Sequence, residues 1–511
     1  MQADVIEPAL TAAGGTTRLP EFRAQLRAQL LAQFLGAVPG AGMIEHSTPI
    51  RARRTAPAAR IAAAALIAAG AIATSAARAQ ESAPNRGVPL IRDAETEQLL
   101  RDYARPILNA AGLAKQNVKV IIINDKSFNA FVMDGRHIFV YAGALMETHT
   151  PNEMIGILAH ETGHLAGGHL SRMRERMAAA QTQSIVAMLL GIGAMVATAR
   201  SGEGGVGIAG AMAPAEAIRR SLLAYARTQE DQADHAAVKF LNATHQSSKG
   251  LLDTFKRLSS DTLFATHGVN PYLQTHPFPA DRVATLEEVA KASPYWNARD
   301  PAALQLRHDL VRAKLYGFLD NGDAVARRYP LSDMSLPAKY ARAIAAYRRS
   351  DLSRALTQID ALIHAEPGNP YFHELKGQAL LEGGRPAEAV APLRRAVQLA
   401  PSPALIQIML AQAINASSQS AKSADEALSV LRSAMTHEPE APEAYAQMAI
   451  SFARKGDLAQ ADLASAQAAF YRGDRKSAEM LATRAKTRLP VGSPSWIRAD
   501  DIVSAKRPKT N

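Results

Sequence analysis

The chain contains no cysteine. That absence excludes disulfides, thiolate metal ligands and a lipidated cysteine anchor, and it fits any redox compartment. Aromatic residues are scarce, at 5% with only two tryptophans. With alanine abundant, this favours helices packed through small residues. Long apolar runs are also missing: Ile61 to Ala73 and Ile185 to Ala199 are both short for a membrane span. The surplus of positive charge, +11 overall, is scattered rather than clustered with aromatics. Nucleic acid is therefore not the expected partner, whereas an anionic membrane surface suits the charge at least as well. Residues 1–79 hold eight arginines and four acids, which accounts for +4 and leaves +7 for the rest.

What is present is ordinary for a folded chain: 511 residues, 47% hydrophobic and 21% charged. This length calls for two or more domains. Arg51, Arg53, Arg54 and Arg60 precede the apolar run at 61–73, and Ala77-Arg78-Ala79 follows it. Basic, apolar and small-x-small regions in that order make a secretory signal cleaved before Gln80. Met43 would put it at a normal N-terminus and is the expected true start, with residues 1–79 as extension and signal. The alternative is an alanine-rich buried helix.

Periodicity predicts a helix from Ala94 to Ala111, with Leu99, Leu100, Tyr103 and Leu108 on its apolar side and Gly112 ending it. The β-branched run Val118 to Ile123 predicts a strand, and Arg136 to Tyr141 a second. Asp134-Gly135 between Phe131-Val132 and His137-Ile138 reads as a hairpin. Residues 152–177 and 215–242 read as two long helices. Between them, the uncharged stretch and its glycine-rich continuation (185–213) suit either a buried helix or an amphipathic or re-entrant hairpin touching lipid or covering the site.

From about residue 336 the sequence repeats. Ala355, Ala389, Ala427 and Ala461 recur at spacings of 34, 38 and 34, with Ala478 half a repeat further on. Pro367, Pro401, Pro439 and Pro490 each follow an alanine by twelve residues, and Gly384, Gly456 and Gly473 precede theirs by five. A 34-residue period with small residues at helix crossings is the tetratricopeptide pattern. The spacing of 38 predicts a four-residue insertion in the turn at Ser417 to Lys422. Such a solenoid binds peptides or proteins and performs no chemistry itself.

Chemistry is concentrated in His160-Glu161-Thr162-Gly163-His164. Histidines four apart share one helix face and can grip one ion, with Glu161 beside them to take a proton from water. A third ligand has two candidates. His169 lies one residue short of the spacing in which a third histidine follows a Gly167-type turn. Glu230, in Glu230-Asp231-Gln232-Ala233-Asp234, is the favoured ligand, with Asp234 one turn on to hold the free nitrogen of a ligating histidine. Two histidines and one carboxylate leave the fourth zinc position for water.

The HExGH helix, the ExxAD helix and Thr275-His276-Pro277…Arg282 resemble the gluzincin family that includes the CAAX prenyl proteases and their soluble periplasmic relatives. With a signal in front and repeats behind, the whole mature chain is similar to the Gram-negative envelope proteases that assist β-barrel assembly. The resemblance implies one Zn²⁺ per chain, His276 approaching metal or substrate as a regulator, and Arg282 steadying the transition state. It also matches Asn129-Ala130-Phe131 to a segment before an active-site edge strand, so Asn129 and Phe131 are weak candidates for substrate contact. The long N-terminal extension has no counterpart in that pattern, and His373 and Lys376 stand where larger apolar residues are usual.

The expected architecture is α+β and mainly helical. A gluzincin-type metallopeptidase domain with a small sheet (80–300) precedes a helical linker (301–335), tetratricopeptide repeats (336–490) and a C-terminal tail (491–511). The expected function is a zinc endopeptidase of the periplasm that degrades misfolded or misassembled proteins, with peripheral membrane contact through 185–213 as a further expectation. Its repeats would contact the outer-membrane β-barrel assembly machinery. The alternative is a repeat-based chaperone or assembly factor with a locked or vestigial zinc site.

Overall fold

The computed structural model describes residues 89–180, 207–264, 272, 275, 276, 280–349 and 351–505. The signal, Met43 and most of the 185–213 stretch lie outside them. Among the described residues no helix is long and apolar enough to cross a membrane.

A four-stranded sheet has the order β1-β2-β4-β3, with β1 Leu90–Ile91, β2 Lys119–Ile123, β3 Ala130–Val132 and β4 His137–Tyr141. β2 runs parallel to β4, while β3 pairs antiparallel with β4 in the predicted hairpin, Phe131 opposite Phe139. Asp134 makes that turn by accepting the main-chain N–H groups of Arg136 (2.8 Å) and His137 (2.9 Å). β3 is thus an edge strand.

Around the sheet pack α1 (Ala94–Ala110), α2 (Ala142–Glu147), α3 (Pro151–Gly167), α4 (Gly207–Ala243), α5 (Lys249–Phe264) and α6 (Ala280–Lys291). The predicted face of α1 is buried, and Gly112 follows with φ +74°. The expected helix over 152–177 is broken. α3 stops at Gly168, which takes the left-handed φ of +60°, and a second helical stretch covers 169–180. A glycine within an apolar pattern can be read through as helix, and tertiary contacts made the break here.

α7 (Ala302–Leu319) and α8 (Gly322–Arg328) occupy the expected linker, but α7 is not a spacer. Its Val311, Leu315, Tyr316 and Leu319 belong to the same hydrophobic core as Leu99, Ile138 and Ile157.

Five antiparallel helix pairs follow: α9 (Leu336–Arg348) with α10 (Leu352–Ala365), α11 (Pro370–Glu382) with α12 (Pro386–Leu399), α13 (Ala404–Ser417) with α14 (Ala421–His437), α15 (Pro442–Arg454) with α16 (Leu458–Tyr471), and α17 (Arg475–Lys486) with α18 (Pro494–Ser504). The five recurring alanines are all buried, and Gly384, Gly456 and Gly473 have φ near +80° in the turns. Two expectations need correction. The four extra residues sit in helices rather than in a turn: α13 has 14 residues against 13 in α11 and α15, and α14 has 17 against 14 in α12 and α16. The supposed tail also holds α18, capped by Ser493 and buried at Ala499 against Ala482, Ala485 and Leu489.

The repeats close on the start of α1. Lys314 of α7 is buried among Asp93 (2.5 Å), Glu95 (3.3 Å) and Glu374 of α11 (3.9 Å), and the Tyr340 hydroxyl of α9 donates to Glu95 at 2.9 Å. Ala94 packs on Ala396 and Ile406.

Candidate metal centre

The histidine helix is set by its own start. Thr150 caps α3 by accepting the Glu153 N–H, Pro151 occupies the first turn, and Glu153 accepts the His149 N–H in return. α3 then approaches two neighbours at glycines. A Cβ on Gly156 would come within 2.7 Å of the Leu251 Cβ, and one on Gly163 within 2.8 Å of the Ala233 carbonyl oxygen. The second contact brings Glu230 and Asp234 of α4 to the face that carries His160 and His164.

Nε2 of His160 and Nε2 of His164 stand 3.1 Å apart, and each is 3.5 Å from a Glu230 carboxylate oxygen. His276 joins them, its Nδ1 lying 3.5 Å from His160 Nε2 and 3.1 Å from both Glu230 oxygens. All four residues are buried. Donor atoms about 2.0–2.2 Å from a tetrahedral zinc are about 3.4 Å apart, so this cluster has the spacing of a zinc ligand set.

The outward atoms fit the same purpose. His160 Nδ1 lies 2.9 Å from Asp234 Oδ1. Arg282 donates to both Asp234 oxygens (2.6 and 2.9 Å) and stands 2.8 Å from Glu230 Oε2. The resemblance implied that Arg282 steadies a transition state; here its guanidinium spans the two carboxylates. Both Glu161 oxygens are buried without a hydrogen-bond partner, the nearer 3.4 Å from His276 Nε2.

The electrostatics follow. Burial alone would lower His160, but the Asp234 and Glu230 carboxylates outweigh it and push the imidazole up to about 9. Burial, reinforced by the charge of His160, holds His164 well below its ordinary value. Burial would raise Glu230, yet His276 and His160 hold it well below the carboxylate range. Glu161 is raised by burial.

His169, the rival third ligand, is outside the cluster. It stands behind His164, Nδ1 to Nδ1 at 3.0 Å. From the edge strand, what reaches the centre is the Ala130 carbonyl oxygen, 3.3 Å from His276 Nε2. Asn129 instead accepts from the Thr275 hydroxyl at 3.3 Å, and Phe131 stacks on Phe139. Tyr272, tilted on the His276 ring at 4.7 Å, and Phe255, edge-on to His160 at 5.7 Å, escaped the sequence reading. As ordinary aromatics in apolar patterns, they carried no motif to find them by.

Residues 91–290 match peptidase family M48. This segment is an M48 domain. M48 peptidases are zinc-dependent, and the buried His–His–Glu–His group of this one can hold one metal ion. Residues 340–403 match the tetratricopeptide repeat. The chain is 23% identical over 429 residues to a beta-barrel assembly-enhancing protease of Yersinia pestis, covering 82% of this chain and 85% of the relative. A protein of the same name from Escherichia coli K12 is 23% identical, covering 64% and 66%. Metalloprotease YcaL of that strain is 29% identical over 162 residues, 32% of this chain and 58% of the relative. Among solved structures, MamA has a TM-score of 0.28 at 16% identity, covering 32% of this chain and 93% of its own. YrrB, a tetratricopeptide protein, has 0.26 at 17%, covering 46% and 99%. The M48 domain and the repeats behind it make the chain a metallopeptidase of α+β, mainly helical architecture.

Proposed function

We propose that this protein is a zinc endopeptidase of the cell envelope that cleaves misfolded or misassembled polypeptides during outer-membrane protein assembly. The observation that carries the reading is the convergence of His160 Nε2, His164 Nε2 and the Glu230 carboxylate beside the unpartnered carboxylate of Glu161. Those three residues would hold zinc, which would supply a Lewis acid to bring the pKa of water towards neutrality and polarise a scissile carbonyl. Glu161 takes the water proton on its carboxylate and returns it to the departing amide nitrogen. Asp234 and Arg282 hold the ligands in place. β3, the outer strand of the sheet among the described residues and beside the centre, lets a substrate strand pair through its backbone, which suits unfolded chains of varied sequence. The names of the relatives and the repeats support a protein substrate, with the β-barrel assembly machinery as the partner proposed for the repeats.

One contact favours a second reading, a repeat-based assembly factor whose centre is kept shut. His276 touches Glu230, His160 and the Ala130 carbonyl at once, so it lies across the approach from the edge strand. One experiment separates the two. Glu161→Gln should keep zinc yet lose hydrolysis of an unfolded protein, and His276→Ala should raise hydrolysis several-fold except in the Glu161→Gln background. Undiminished turnover by Glu161→Gln would refute the mechanism. Full rescue of a deletion strain by that variant would make binding, not cleavage, the main task.

A further inference from the structure

Each ligating histidine must offer the lone pair of Nε2, which requires its proton on Nδ1 and an acceptor for that proton. For His160 the nearest acceptor is the Asp234 carboxylate, its Oδ1 2.9 Å from Nδ1. For His164 it is another imidazole. His169 Nδ1 lies 3.0 Å from His164 Nδ1, the two rings near perpendicular at 84°, and His169 is buried. Two Nδ1 atoms at that distance share one proton. With the proton on His164, His169 accepts through Nδ1 and carries its own proton on Nε2.

We propose that His169 is a positioning residue that sets the tautomer of His164, held in register by the helix that supplies Glu230. This rests on the reading of His164 as a metal ligand. Three features build the arrangement. Gly168, at φ +60°, ends α3 so that the next residue folds back along it, and a Cβ on Gly167 would run into the His169 imidazole. The side-chain amide of Gln229 donates to the His169 carbonyl oxygen at 3.1 Å. The Gln232 side chain stands beside the His169 imidazole. Gln229 and Gln232 flank Glu230 on α4, so the carboxylate ligand and the support of His164 move as one unit. The Gly167-Gly168-His169 sequence has a use that neither helix formation nor ligation explains.

The test is zinc affinity of the full chain, measured by competition with a chromophoric chelator, together with the visible spectrum of the cobalt-substituted protein. His169→Leu removes the acceptor and should weaken zinc binding by roughly 10–100-fold. His169→Asn, whose Oδ1 can stand in for Nδ1 as acceptor, should recover most of that loss and the parent cobalt spectrum. A packing role alone would lower the metal-free melting temperature in both variants and leave zinc affinity alone. Parent-like affinity in His169→Leu, or equal loss in both variants, overturns the proposal. Should His169→Leu fail to fold, Gln232→Ala on the exposed face of α4 tests the same chain, with a several-fold loss expected and unchanged affinity overturning it. His164→Ala runs alongside: zinc lost there but kept in His169→Leu sinks the relay alone, whereas zinc kept in His164→Ala sinks the ligand reading with it.

Discussion

At the scale of single residues the centre is a problem of balanced charge. Glu230 and Asp234 are one helical turn apart and both buried, and Arg282 spans them while lying over the Phe255 ring at 4.9 Å. Removing one partner of a buried charge cluster leaves carboxylates that water cannot reach, which typically costs about 3–5 kcal/mol. Arg282→Met should therefore lower the stability of the metal-free protein by about that amount in urea titrations with chelator present. If the loss is below about 1 kcal/mol and only turnover falls, the transition-state role takes precedence over the clamp. The candidate donors stood out in the sequence because histidines four apart and an acid four before another acid are patterns of a single helix. The clamp was not, because the contact of Arg282 with α4 depends on how distant segments pack.

At the scale of elements, two glycines seven apart on α3 set its approach to its neighbours, Gly156 to α5 and Gly163 to the other ligand helix, α4. Gly163 faces the Ala233 backbone, with Glu230 and Asp234 on either side of that contact. An added methyl there has backbone on the far side rather than a side chain that can move. Gly163→Ala should cost about 1–3 kcal/mol, as overpacked contacts do. It should also weaken zinc binding, because α4 must retreat with its carboxylate. Chelator competition and thermal melts measure both, and an alanine variant with parent-like zinc affinity would show that the approach does not set the site. Nothing in the HExGH motif distinguishes Thr162 from Gly163 as the position that must stay small. The break at Gly168 escaped the sequence for the same reason: a glycine at the end of an apolar pattern becomes a stop only when the next residue has a place to pack.

At the scale of the molecule, the repeats and the peptidase core meet over buried charge. Asp93, Glu95, Lys314 and Glu374 share one interior space, with three acids to one base. Burial pushes Glu374 up to about 8, so at neutral pH it is largely protonated in the folded chain. Its ordinary carboxyl value is 4.5. A raised acid pKa means the folded state holds the proton more tightly than the unfolded state. Its stabilising contribution is complete below about 4.5 and declines as pH rises towards 8. Glu374→Gln, which cannot ionise, should flatten that decline and melt higher than the parent at pH 9. Calorimetric scans across pH 5 to 9 test this, and parallel profiles for the two proteins would sink it. The same junction explains why the supposed linker became core: α7 carries apolar residues to the peptidase side and Lys314 to the repeats.

The sequence by itself determined what local chemistry can specify. The HExGH and ExxAD spacings are single-helix geometry, the hairpin at Asp134-Gly135 is turn chemistry, and the 34-residue period is the stacking of one repeating unit. These were readable because each depends on residues within a few turns of one another. Only the tertiary structure decided which acid faces which histidine, that His169 stands behind His164 and outside the four-residue cluster, that Ala130 rather than Asn129 or Phe131 reaches the centre, and that the four extra repeat residues lengthen helices. Each of these depends on the distance between segments far apart in the chain, set by how small residues let helices approach and by how buried charges find partners. Neither is written in any one stretch of sequence.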